Sequence, residues 1–78
     1  MKHFIFLRLG NDPLDNATRH STIQEAVDAY AEAARELDRY GQKLEATLHL
    51  APGWGLADEY PDYVLSMGPR GGIRRERA

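Results

Sequence analysis

Glu25, Asp28, Glu32 and Glu36 follow one another at three- and four-residue steps, the spacing that stacks side chains on one face of a helix. Four carboxylates set this way span about 16 Å of helix and imitate a short run of phosphates for a partner rich in lysine and arginine. The same ridge can serve merely as a solvated helix face that keeps the chain soluble. Asp58, Glu59 and Asp62 extend the negative series. Trp54, between Gly53 and Gly55, is either an exposed aromatic anchor for a partner or a cap on the open end of a small core. These eight residues make up the candidate partner-binding set.

Other chemistries find no support in residue type and spacing. His3, His20 and His49 show no HxH or HExxH spacing, and the chain has no cysteine, so no metal site is expected. There is no serine elbow or P-loop, and Gly68, Gly71 and Gly72 lack the strand-to-helix setting that phosphate cradling needs. The expectation is a non-enzymatic protein without cofactor or metal. Arg70, Arg74, Arg75 and Arg77 crowd the stretch MGPRGGIRRER, yet a pI near 5.8 and an acidic helix argue against direct nucleic-acid binding. That stretch is better read as a hairpin whose arginines protect an edge strand.

The net charge of −2 conceals a strong asymmetry. Residues 11 to 62 hold eleven acids and four bases, while both ends are basic, through Lys2 and Arg8 and through the four C-terminal arginines less Glu76. A basic protein surface is the partner this middle segment suits.

The elements that must position these groups follow from hydrophobic periodicity. Residues 2 to 9, KHFIFLRL, are apolar on both parities and predict a central strand covered on both faces. Residues 10 to 20 predict a loop. Ser21 with Gln24 and Thr22 with Glu25 each offer a capping box, and the apolar positions Ile23, Ala26, Val27, Tyr30, Ala33, Ala34, Leu37 and Tyr40 predict a helix over about residues 22 to 40, stopped by Gly41. Tyr30, Leu37 and Tyr40 are expected to supply most of its buried area. In residues 42 to 51, Leu44, Ala46, Leu48 and Leu50 alternate with Lys43, Glu45, Thr47 and His49, a strand with one buried and one wet face. A loop over residues 52 to 62 precedes the strand YVLSM, and GPRGG turns into a short hairpin strand, IRRER. The predicted class is α+β: one amphipathic helix on a small, mainly antiparallel sheet, in the order β-α-β-β with a C-terminal hairpin strand.

Seventy-eight residues, 42% of them hydrophobic, make a single domain over residues 1 to 78. A chain this short buries only about 60% of its unfolded surface and has no disulfide to help, so a homodimer stays open as a source of further burial. FIFLRL is too short for a signal segment, no stretch approaches the length of a membrane span, and the lack of cysteine fits a reducing compartment. A cytoplasmic protein that does not enter membranes is expected.

From STIQEAVDAYAEAARELDRYGQ through EYPDYVLSMGPRGGIRRER the chain resembles small proteins of bacterial phages and mobile elements, among them anti-CRISPR proteins, including inhibitors of type I systems. The resemblance implies a non-enzymatic inhibitor that binds a CRISPR effector complex, the surveillance complex, and blocks recognition of target DNA. Such complexes hold DNA with lysines and arginines, which suits the acidic ridge. The basic tail departs from a uniformly acidic DNA mimic. Two other readings stand beside it: a phage or plasmid accessory regulator that binds nucleic acid through the C-terminal arginines, and a generic protein-protein interaction module.

Overall fold

A computed structural model describes residues 3–52 and 60–78. It is an α+β domain in which one helix packs on a five-stranded antiparallel sheet. In chain order the elements are β1 (His3–Leu9), a 3-10 turn (Leu14–Asn16), β2 (Thr18–His20), α1 (Ile23–Asp38), β3 (Ala46–Pro52), β4 (Tyr63–Met67) and β5 (Ile73–Arg77). The strands lie in the order β2-β1-β3-β4-β5.

The helix begins where its cap chemistry requires. Thr22 Oγ1 accepts the Glu25 N–H at 3.1 Å, and the Glu25 carboxylate accepts the N–H of Ser21. The carboxylate thus reaches one residue further back than in the usual reciprocal box. Gly41, at φ +73°, ends the helix. The N–H of Gln42 bonds to Leu37 O and that of Gly41 to Asp38 O, the paired bonds of a Schellman stop.

Register sorts the sheet into two faces. Ile5, Leu7 and Leu9 lie opposite Leu50, Leu48 and Ala46, and Ala46 lies opposite Leu65. This face meets α1 in a core of Ile5, Leu7, Ala26, Tyr30, Ala34, Ala46, Leu48 and Leu65. Ala26 and Ala34 let the helix backbone come close, and Tyr30, fully buried, fills the space between them. Its hydroxyl donates to Leu44 O, so the one polar atom of the largest core side chain is satisfied. On the other face Phe4, Phe6 and Arg8 lie opposite Ala51, His49 and Thr47. The Arg19 guanidinium sits 4.5 Å over the Phe4 ring.

Several expectations are corrected. The segment expected to be a loop from 10 to 20 contains β2, an edge strand paired with β1 through Ile5–His20, Phe6–Arg19 and Leu7–Thr18. The helix stops at Asp38, so Tyr40 lies beyond it and is 74% exposed. Leu37 is only half-buried and outside the core cluster, which leaves Tyr30 to supply the bulk that three side chains were expected to share. β3 starts at Ala46 rather than residue 42, although Leu44 still packs on the core from the preceding loop. His49, expected to be wet, is fully buried. Alternation tells which way a side chain points, not whether that side is open. His49 points away from α1, lies beside Phe6 on an interior strand, and is hydrogen-bonded to Thr47 Oγ1 at 2.8 Å. The C-terminal hairpin is as expected: β4 and β5 pair from Tyr63–Arg77 to Met67–Ile73, closed by a Gly68 N–H bond to Gly72 O, with Gly71 at φ +83°. Among the described residues no helix is long and apolar enough to cross a membrane.

Leu48→Ala should cost about 2 to 5 kcal/mol, a large share of the ~5 to 15 kcal/mol available to a small domain, while Leu37→Ala should cost well under half as much. Urea midpoints of the two variants check this. Burial first, and the charge of Glu45 second, raise the Tyr30 phenol above 10.0. The folded state therefore holds this proton more tightly than the unfolded chain, and its contribution is complete below pH ~10 and lost as pH climbs further. Tyr30→Phe leaves Leu44 O without its donor and should cost about 1 to 3 kcal/mol at neutral pH. Denaturation across the alkaline range should show the gap between parent and variant narrowing above pH ~10.

Candidate functional site

Because α1 packs chiefly against β1, β2 and β4, β5 lies beside the helix rather than under it. The result is an open groove of ≈ 720 Å³ along one helix flank. Its apolar lining comes from Val27, Ala31 and Ile73. Val27 and Ala31 are one helical step of four apart, and Ile73 enters from the first position of β5.

Asp28, Glu32 and Glu36 line the same groove. Three of the four ridge carboxylates thus border an apolar floor, a combination the helical pattern alone does not contain. Asp28 accepts a hydrogen bond from the Gln24 amide at 2.9 Å, and Glu36 lies 3.6 Å from Arg39, both side chains being well exposed. An exposed pair of that kind is worth little, about 0 to 1 kcal/mol. The Glu32 carboxylate has no hydrogen bond or ion pair among the described residues. Arg35 and Arg39 also border the groove toward the helix C-terminus, so the N-terminal part is acidic and the far end mixed.

The remaining candidates do not converge there. Glu25, also exposed, is occupied with the helix cap. Asp62 sits near the opposite end of the sheet, where its carboxylate accepts the Leu50 N–H at 2.8 Å and its backbone bonds to Leu48 and Ala78. It ties β3, β4 and the C-terminus together rather than extending the ridge. Trp54, Asp58 and Glu59 lie outside the described residues. Val27, read only as part of the apolar stripe, and Ala31 and Ile73 are absent from the candidate set. The signal for Ala31 was its four-residue step from Val27. Nothing local signals Ile73, which reaches the helix only through the hairpin.

Arg74, Arg75 and Arg77 split between the two faces of β5, while Arg70 lies in the turn before it. Arg74 pairs with Glu76 at 3.5 Å, and the Arg75 guanidinium stands 5.3 Å over the Tyr63 ring. Among the described residues no three of His, Cys, Asp or Glu gather as a metal ion would require. The groove can recognise charge and apolar surface, and holds no nucleophile paired with a base. Comparison of the chain with protein-family models, with curated proteins and with solved structures finds no match.

Proposed function

We propose that this chain is a non-enzymatic binding protein whose α1–β5 groove takes a basic, partly apolar segment of a protein partner. The observation that carries the reading is the meeting of Asp28, Glu32 and Glu36 with the apolar lining of Val27, Ala31 and Ile73 in one groove. Carboxylates without strong internal partners keep their charge for an incoming lysine or arginine, and the apolar floor contributes the desolvated contact that surface charge alone does not provide. In its sharpest form, suggested by the resemblance to phage anti-CRISPR proteins, the partner is a CRISPR surveillance complex and the groove occupies lysines and arginines that would otherwise hold target DNA.

The reading that places nucleic acid on the C-terminal arginines draws less support. Arg74 and Arg75 already have Glu76 and the Tyr63 ring as neighbours, and the basic residues do not form a continuous face.

The test is binding of the purified protein to a type I surveillance complex, measured with and without target duplex. Asp28→Lys with Glu32→Lys should weaken binding at least about tenfold while the helical far-UV spectrum persists, because both side chains are exposed. Ile73→Asp should weaken it as well, and target DNA should compete. Affinity should fall steeply as salt rises, as expected of screened charges. Full binding by the double-lysine variant would refute the groove as the interface.

A further inference from the structure

A second cleft, of ≈ 450 Å³, opens where β1 ends and β3 begins. Its lining brings together Arg8, Asn11, Lys43 and Thr47, with Glu45 as its one carboxylate and Val64 as an apolar wall. Arg8, Thr47 and Val64 are register neighbours across β1, β3 and β4 on the sheet face away from α1. Gly10, at φ +57°, turns the chain out of β1 and donates to Glu45 O at 2.7 Å. That bond fixes Asn11 beside the segment that carries Lys43.

Two facts separate this cleft from an ordinary surface hollow. The Nε of Arg8 is buried and has no hydrogen-bond acceptor, an arrangement that leaves a donor of a charged group desolvated and uncompensated. Neither Arg8 nor Lys43 forms an ion pair among the described residues, although Glu45 shares the lining. Two cations and an amide, together with the Thr47 hydroxyl that also bonds His49, therefore line a space whose size falls within the range of small-ligand sites, about 300 to 1,000 Å³. A donor set of this kind suits an anion with several acceptor oxygens.

We infer that this cleft binds a phosphate group. The guanidinium of Arg8 offers a planar fork suited to phosphate oxygens, Lys43 supplies a mobile point charge, and Asn11 and Thr47 contribute neutral polar contacts. Glu45 opposes the ligand and holds the affinity down. The phosphate can belong to a small molecule or to the backbone of a single-stranded nucleic acid. None of the residues used here lines the α1–β5 groove, so this inference stands or falls apart from the proposed function.

Pyrophosphate and a short oligothymidylate, titrated separately into the full chain labelled with 15N, distinguish the two sources. The resonance of the Arg8 Nε–H reports the site directly. It should shift on saturation with at least one of the two ligands, and the ligand that shifts it identifies the source. Lys43→Gln and Arg8→Gln should each weaken that binding about tenfold or more, as loss of a charge-assisted contact does. Glu45→Gln should tighten it, and Arg74→Gln should leave it unchanged. Lys43 and Glu45 are both exposed, so their variants test the site even if Arg8→Gln fails to fold. An Arg8 Nε–H that stays put up to about 10 mM of either ligand, or equal affinity in the Lys43 and Glu45 variants, overturns the inference.

Discussion

One helix has to cover one face of five strands, and it is too narrow to do so. An α-helix with its side chains is about 10 to 12 Å across, whereas five strands at 4.7 to 4.9 Å spacing place the outer strand axes about 19 Å apart. Some part of the sheet must stay uncovered. Tyr30 decides which part, because its fully buried ring and its bond to Leu44 O fix the helix over the core built from β1, β3 and β4. β5 is left at the flank, and Ile73, Val27 and Ala31 line the space between it and the helix.

Charge follows this geometry. The helix turns its carboxylates toward solvent and toward the uncovered flank, while Arg8 and Arg19 belong to the sheet face opposite the helix. The arginine-rich C-terminus, which in the sequence looks like a nucleic-acid arm, is absorbed into an edge strand. There Arg74 lies across from Ser66 and Arg75 across from Leu65, and the cationic edge discourages pairing with further strands.

What could be read from the sequence was local. The helix start at Thr22 and Glu25 and its stop at Gly41 are short-range cap chemistry, and the apolar spacing between them needs no tertiary information. The alternation of Ala46, Leu48 and Leu50 fixed the face of β3 for the same reason. β2 was invisible because Thr18, Arg19 and His20 have no apolar pattern of their own and become a strand only against β1. The burial of His49 and the modest burial of Leu37 depend on what lies above and beside them, which periodicity does not encode. Of the candidate site, the three carboxylates at the groove were legible and the groove was not, since Ile73 reaches α1 only through the β4–β5 hairpin. The Arg8 cleft joins residues more than thirty positions apart in the chain, beyond any local signal.

The central claim is that the flank left open between α1 and β5 is where a partner docks. Methyl spectra of the protein, recorded free and bound to a surveillance complex, test it most directly. The account predicts that the methyl signals of Val27, Ala31 and Ile73 shift or broaden together on binding, while that of Val64, on the opposite face, stays in place. Perturbation of Val64 with the three groove methyls unchanged would contradict it.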